Sequence, residues 1–399
     1  MDRLHIAFFG PTNSGKSTLV NAISGQPVSL VSEVPGTTTD PVRKPIEIPG
    51  LGPCVLIDTA GLDDTSVLGA ERLRLTRAVL DETDVAVVLP MSEDFEALAT
   101  QAGIPVVRYT RGESIESLIR RIRDVRPAEE DPFLTGDLVE AGDTVLLVMP
   151  QDSEAPQGRL ILPQVQVIRE LLDRGCNPLC CTPQSMSAAL TCLKEWPALT
   201  ITDSQVFGFV NGQLPAACPL TSFSILLAAA KGDIATFVEG ARAIDRLTRH
   251  SRVLIAEACT HVPDSEDIGR VKIPELLRAK AASAASGDRE GEPSGIAGRS
   301  GRVWGGAPVN TDERDKNQSS GASVDLKIDI AAGNDFPDDL SPYDLIIHCG
   351  ACVASRQLVR SRIRKALLAG VPITNYGIAL AKLQGILDRV AIPRSRTRR

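Results

Sequence analysis

Short hydrophobic runs alternate along the chain with segments whose apolar positions recur three and four residues apart. In the first 125 residues HIAFF, CVLIDTA and DVAVVL predict strands, STLVNAI starts a helix, and GESIESLIRRI predicts an amphipathic helix. A polar stretch, RPAEEDPFLTGD, marks a boundary at 126–140. Beyond it TVLLVMP, PLCCTP and LTITD predict strands, while QVQVIRELLDRG, SMSAALTCLKEW and SFSILLAAAKGD predict helices. A third unit opens near 251 with SRVLIAEACTH. It resumes with VDLKIDI, YDLIIHCGAC, the helical VRSRIRKALLAG and the strand-like VPITNYG. Such alternation implies parallel sheets with helices on their faces. The expected fold class is α/β, in three units at 1–125, 126–250 and 251–399. Residues 280–323, rich in Gly, Ser, Ala and charge, bury too little surface to offset their ordering entropy and are expected to be a disordered insertion. No internal repeat is evident along the chain.

Composition narrows the class. The chain has 399 residues, 43% hydrophobic and 23% charged, as in globular proteins of two or three domains. Aromatics are few, so the cores must lean on Leu, Val, Ile and Ala. A net charge of −7 argues against nucleic acid as a partner. No apolar run approaches a membrane span, and the N-terminus shows no signal or transit pattern, so a cytoplasmic location away from membranes is expected. Nine cysteines without disulfide-framework spacing point to a reduced compartment, where clustered cysteines more often hold metal or do chemistry.

The N-terminal unit carries a phosphate site. GPTNSGKS, residues 10–17, lies between a predicted strand and a predicted helix and has P-loop spacing. Gly10 and Gly15 let backbone N–H groups curl around phosphates, Lys16 reaches the β/γ-phosphates, and Ser17 binds Mg²⁺; Ser14 and Thr18 belong to the same nucleotide-binding run. DTAG, residues 58–61, follows the next apolar strand. Asp58 suits Mg²⁺ through water, and the Gly61 N–H suits a γ-phosphate. PGTTTD between them offers a hydroxyl to the metal; Thr38 is the first choice, with Thr37 and Thr39 as competitors.

Together these motifs resemble the translation-factor class of GTPases, near the tRNA-modification GTPase and Era group. That resemblance implies GTP with Mg²⁺, and K⁺ held with the help of Asn13. Two departures follow. Leu62 stands where Ras-like enzymes carry a water-positioning glutamine. No NKxD motif for reading guanine is found. TRGE, residues 110–113, is a degraded candidate, but GESIESL aligns better with the segment that closes such domains, leaving a strand, a helix and the base reader missing. Guanine selectivity and turnover are thereby left open.

The third unit carries a metal constellation. EACTH supplies Cys259 and His261, and IIHCGAC supplies His348, Cys349 and Cys352, each set ending an apolar strand. Two such strands would converge at the carboxyl edge of a parallel sheet, where α/β folds place their sites. Thiolates suit zinc or an iron–sulfur cluster, and spacing alone separates neither. The remaining cysteines, Cys54, Cys176, Cys180, Cys181, Cys192 and Cys218, are expected in cores.

The P-loop, the CxH and the HCxxC occur in one order with APQGRLILPQVQVIRELLD, TITDSQVF, LTSFSILLAAAKGD, DIGRVKIP and VPITNYG. This whole set resembles the H-cluster maturation GTPase of FeFe hydrogenases. The resemblance implies a GTPase domain, a middle dimerisation domain that makes a homodimer, and a cluster-binding domain. It implies a scaffold that holds a 4Fe-4S cluster on Cys259, Cys349 and Cys352, with His261 and His348 as fourth or exchangeable ligands. It also implies three partners: two radical-SAM maturases that make a diiron precursor, and the apo-hydrogenase that receives it. The competing expectations are a scaffold without nucleotide turnover, and a zinc-stabilised NTPase unrelated to hydrogenase.

Overall fold

A computed structural model describes residues 3–25, 41–61, 69–90, 93–127, 133–151, 160–258, 267–286, 326–333, 335–352 and 354–394. The N-terminal unit runs β1 (Leu4–Phe9), α1 (Lys16–Ser24), β2 (Val42–Ile48), β3 (Gly52–Asp58), α2 (Gly69–Leu80), β4 (Val85–Val88), α3 (Glu93–Gln101), β5 (Val106–Arg108) and α4 (Ile115–Val125). Its sheet has the order β2-β3-β1-β4-β5, parallel except for the β2–β3 pair. Alternation along β1 divides its side chains between two layers. Ile6 and Phe8 join Leu19, Leu118 and Ile122 on one face of the sheet, and Ala7 and Phe9 join Val79, Phe95 and Ala99 on the other. Helix α4 is capped by Ser114, whose hydroxyl accepts from the Ser117 N–H, and it buries Leu118 and Ile122.

The middle unit runs β6 (Thr144–Val148), α5 (Leu162–Asp173), β7 (Asn177–Cys181), α6 (Met186–Thr191), β8 (Leu199–Thr202), α7 (Phe207–Gln213), β9 (Leu220–Ser222), α8 (Phe223–Lys231) and α9 (Ile234–Ala241). The third runs β10 (Arg252–Glu257), α10 (Ile273–Ser286), β11 (Lys327–Ala332), β12 (Leu345–His348), α11 (Arg356–Leu368), β13 (Ile373–Asn375) and α12 (Tyr376–Leu383). Both sheets are four-stranded and parallel, in the orders β7-β6-β8-β9 and β11-β10-β12-β13. In each, the second strand flanks the first, and the third and fourth follow on its other side. The two units are therefore wound alike, a repeat of topology that the sequence does not display. In both, a three-residue last strand turns directly into a helix whose cap, Ser222 or Asn375, accepts from a backbone N–H of the first turn.

The second and third units share one hydrophobic core. It extends from Leu146 and Val148 on β6 through Ile225 on α8 and Phe237 on α9 to Ile255, Ile347, Ile373 and Leu380. After α12 the chain returns to the middle unit: the Ala391 N–H donates to Leu220 O, and the Arg394 N–H to Asp137. The end of the 251–399 segment thus completes the sheet edge of the preceding unit. Residues 133–139, inside the expected boundary, also belong to the middle unit. The buried Glu170 carboxylate accepts from Leu134 N, Thr135 N and Thr135 Oγ1. Helix α10 continues to Ser286, so the first seven residues of the segment expected to be disordered, 280–286, are helical; 287–323 lie outside the described residues. The N-terminal unit docks on α11, where Asp81 accepts from Ser361 Oγ (2.7 Å) and Lys365 Nζ (2.5 Å), and Arg364 donates to Ala102 O. Among the described residues, no helix is long and apolar enough to cross a membrane.

Candidate functional site

Two sites stand at carboxyl edges of sheets. In the first, the loop after β1 bends through Asn13 (φ 58°) and Gly15 (φ 98°), both in the left-handed region, before α1 begins at Lys16. Lys16 is buried, and its ammonium donates to Gly10 O (2.9 Å) and Pro11 O (2.7 Å). Ser17 Oγ donates to Asp58 Oδ2 at 2.6 Å. Asp58 is fully buried, yet its Oδ1 has no hydrogen-bond partner, and neither does the buried Ser14 Oγ. Orphaned acceptors beside a hydroxyl suit a hydrated divalent cation. Gly61 lies against the loop: a Cβ there would fall 2.0 Å from Thr12 Oγ1 and 2.7 Å from Thr12 N, so only glycine brings the DTAG segment this close. Asn13 and Thr18 are exposed at the loop and on the first turn of α1. Thr37, Thr38, Thr39 and Leu62 lie outside the described residues.

The degraded base-reading candidate has other work. Glu113 of TRGE accepts from Ser117 Oγ (2.9 Å), from Arg121 Nη1 (3.0–3.1 Å) and from the Thr110 N–H (3.4 Å). Its carboxylate therefore organises the start of α4. A cleft of about 940 Å³ opens beside β5, but the acid lining it, Glu96, is held by a bidentate pair with Arg108.

The second site forms where β10 and β12 run side by side, with Ala256 opposite His348. This pair is the point at which strand order reverses in the sheet, the usual place for a ligand crevice. Cys349 follows β12 and is half-buried. Its Sγ accepts from Ala258 N (3.1 Å) and Ala351 N (3.4 Å). The described end of β10 thus reaches the HCxxC loop at Ala258; Cys259 and His261, which follow it in sequence, lie outside the described residues. Among the described residues no three His, Cys, Asp or Glu side chains converge as a metal site; of the thiol set, Cys349 and Cys352 are described. Both are half-buried thiols that form no disulfide. Backbone N–H groups aimed at sulfur and a soft donor set fit an iron–sulfur cluster.

His348 is buried and uses both ring nitrogens. Arg362 Nη1 can only donate, so Nε2 accepts from it (3.2 Å) and Nδ1–H donates to Cys349 O (2.8 Å). Burial, and then the Arg362 charge, pull the imidazole pKa down to about 3 against the opposing carbonyl bond, so the ring is neutral. To ligate iron, His348 would first have to release Arg362. Further residues frame the loop. Asn375 Nδ2 donates to Cys349 O, and its Oδ1 accepts from Ser224 Oγ. Buried Glu257, at the end of β10, pairs with Arg270 (3.0 Å), which Asp267 also holds. A Cβ on Gly269 would fall 2.0 Å from Tyr376 Oη, which explains a glycine in DIGRVKIP. Lys231 Nζ reaches the loop's carbonyls from α8. The signals were present, since Lys231, Asp267, Gly269, Arg270, Asn375 and Tyr376 lie in AAAKGD, DIGRVKIP and VPITNYG, but their targets are remote in sequence. Cys54, Cys176 and Cys218 are buried as expected, whereas Cys180 and Cys192 are exposed and Cys181 is half-buried.

Comparison with known proteins assigns each unit. Residues 134–232 match the hydrogen maturase F dimerization domain, and 235–290 with 316–393 match the hydrogen maturase F tetramerization domain. Residues 5–125 match the 50S ribosome-binding GTPase family. The tRNA modification GTPase MnmE of Alkalilimnicola ehrlichii is 41% identical over 112 residues, 27% of this chain and 25% of that protein. Its counterpart in Xanthomonas oryzae is 33% identical over 129 residues, 32% and 29% of the two chains. This chain spans about a quarter to a third of the length of the curated relatives it matches. Among solved structures, Era in complex with MgGDPNP and 16S ribosomal RNA nucleotides aligns with 46% of this chain and 94% of its own, at 16% identity and TM-score 0.29. NFeoB of S. thermophilus bound to GDP.AlF4- and K+ aligns with 31% and 62%, at 20% identity and TM-score 0.20.

Proposed function

Because this chain belongs to the hydrogen maturase F family, we propose that it is a maturation factor for FeFe hydrogenase. It holds a 4Fe-4S cluster, accepts a diiron precursor made with two radical-SAM maturases, and passes it to the apo-hydrogenase. The observation that carries this reading is the junction of β10 and β12, where the N–H of Ala258 donates to Cys349 Sγ. Cys259, Cys349 and Cys352 are the anchors. A cubane held by three thiolates supplies one iron open to a further ligand. His261 is a candidate for that position; His348 is one only after Arg362 lets it go. Glu257, Asn375 and the Ala351 N–H set the walls and polarity of the cradle.

In the N-terminal unit, Lys16 and the backbone of Gly10–Ser17 bind GTP phosphates. Ser17 and Thr38 hold Mg²⁺, with Asp58 behind a water, Gly61 faces the γ-phosphate, and Asn13 helps to hold K⁺. Oligomer formation is supported by the matched dimerization and tetramerization domains. Exposed Leu162, Val165 and Leu172 on one side of α5 offer a homodimer apolar surface. A second reading, a scaffold that binds nucleotide without turning it over, is favoured by the engagement of Glu113 with α4. The cytoplasm, where thiols stay reduced, is the compartment that suits the site.

Iron, sulfide and zinc content after anaerobic reconstitution, with low-temperature EPR of the reduced protein, test the scaffold. About four irons and four sulfides per chain are expected, with the cubane signal lost in Cys349→Ala/Cys352→Ala. Zinc without sulfide, or a variant that keeps its cluster, would refute it. Titration with GTP separates the two nucleotide readings. Lys16→Ala should weaken GTP by about two orders of magnitude, the worth of a charge-assisted phosphate contact of roughly 3 kcal/mol. No detectable GTP binding in the parent protein would remove the nucleotide role altogether. Binding without phosphate release would select the second reading.

A further inference from the structure

The run SFSILLAAAKGD was marked by its pattern, and two of its last three residues have local tasks. Asp233 caps α9, accepting from the Ala235 and Thr236 N–H groups. Gly232 lets the end of α8 approach Phe237 and Ile363. Lys231 reaches further. It is 6% exposed, and its ammonium crosses into the third unit, where it donates to Ala354 O (2.8 Å), Ala351 O (3.0 Å) and Cys352 O (3.3 Å). An ammonium has three N–H donors, and three carbonyls of one short loop receive them. Burying such a group is costly unless its hydrogen bonds are met, so this arrangement holds the loop as firmly as it holds the lysine.

The loop has the geometry that such a hold produces. Ala351 is the only non-glycine besides Asn13 with positive φ (51°) among the described residues. With its carbonyl turned to Lys231, its N–H points at Cys349 Sγ. The topological repeat supplies an internal comparison. Helices α8 and α12 occupy the same place in the two like-wound units. Counting nine residues from the caps Ser222 and Asn375 gives Lys231 in one and Gln384 in the other. Gln384 Oε1 lies against Gly208, in α7 after β8, and carries no charge. Only the helix that faces the HCGAC loop places a cation there.

We infer that Lys231 is a positioning residue for the cluster. It fixes the carbonyls of Ala351, Cys352 and Ala354 so that Cys349 and Cys352 are presented together, and it sets a positive charge behind an anionic, thiolate-bound centre. The inference rests on the scaffold reading above and names the second-unit residue that serves it. A cation at this position favours the more negative, reduced state of such a centre, and outer partners of this kind commonly govern metal retention by 10–100-fold.

The test uses the full chain, reconstituted anaerobically, as parent, Lys231→Met and Lys231→Arg. Lys231→Gln replaces the Met variant if that fails to fold. Loss of iron to a ferrous chelator should be about tenfold faster in Lys231→Met. Its midpoint potential, from EPR-monitored titration with dithionite as electron donor, should fall, and Lys231→Arg should return it toward the parent. Unchanged iron loss and potential in Lys231→Met would overturn the inference. So would lowered stability with an unchanged potential, since that is a purely structural lysine. If the parent takes up no iron, the scaffold reading fails instead. Amide exchange of the cluster-free protein then judges the anchoring alone: residues 349–354 should exchange faster in Lys231→Met while the P-loop does not, and equal exchange would overturn it.

Discussion

Gly240→Ala is expected to destabilise the joined second and third units by about 3 kcal/mol or more, the upper end for overpacking a core. Gly240 is buried where α9 crosses β13. A Cβ there would stand 1.9 Å from Ile373 O, 2.6 Å from Ile373 C and 3.0 Å from Ile373 N. These are backbone atoms of a strand paired with β12, so none can swing aside as a side-chain tip would. Alanine is the better helix former by about 1 kcal/mol, which would make the change stabilising if α9 stood free. The sign therefore reports the packing. Urea unfolding followed by far-ultraviolet circular dichroism reads it. A midpoint equal to or above that of the parent would mean that α9 does not lie on β13.

Arg362→Met should cost a similar amount, about 3 kcal/mol or more, for a different reason. Arg362 is 2% exposed. Its guanidinium donates to Glu257 O (3.1 Å), Gly333 O (2.5 Å) and His348 Nε2 (3.2 Å) and stands 4.9 Å above the Phe336 ring. Methionine fills much of the space but leaves buried acceptors at the ends of β10, β11 and β12 without this donor, and each orphaned group costs roughly 1–3 kcal/mol. Arg362→Lys should rescue little, since an ammonium donates from one point and these acceptors stand apart at the ends of three strands, where the planar fork reaches them. The variant also lifts the charge that, after burial, holds the His348 pKa down, so that pKa should rise. Imidazole ¹⁵N shifts against pH, with thermal unfolding of the cluster-free protein, check both effects. A His348 pKa that does not move would show that Arg362 does not face the ring.

Legibility followed distance along the chain. The P-loop was readable because its parts are contiguous: Gly15, Lys16 and Ser17 create their own turn and helix start, and Asp58 and Gly61 arrive at the end of the adjacent strand. The neighbouring of β10 and β12 was readable because each is an apolar run ending in a thiol motif, and parallel strands bring such ends to one edge. Glu113 misleads for the same reason that the P-loop does not. Four residues in a row, TRGE, resemble a motif, but Arg121, eight residues on, claims the carboxylate. Lys231 and Arg362 were invisible because their targets stand 120 or more residues away in the first case and on three separate strands in the second.

The sequence by itself determined the α/β class, the phosphate loop, the strand ends that carry the thiols and the family, because periodicity, turn chemistry and short motifs act locally. Tertiary structure alone decided that the second and third units share one core and one winding, and that the tail returns to β9. It also decided that Asp81 receives α11, and that two buried cations, Lys231 and Arg362, hold the HCGAC loop and the strand ends beside it. The physical reason is common to all four. Each depends on which buried donor meets which buried acceptor, or which apolar face meets which, and that choice is made only when distant segments leave water together.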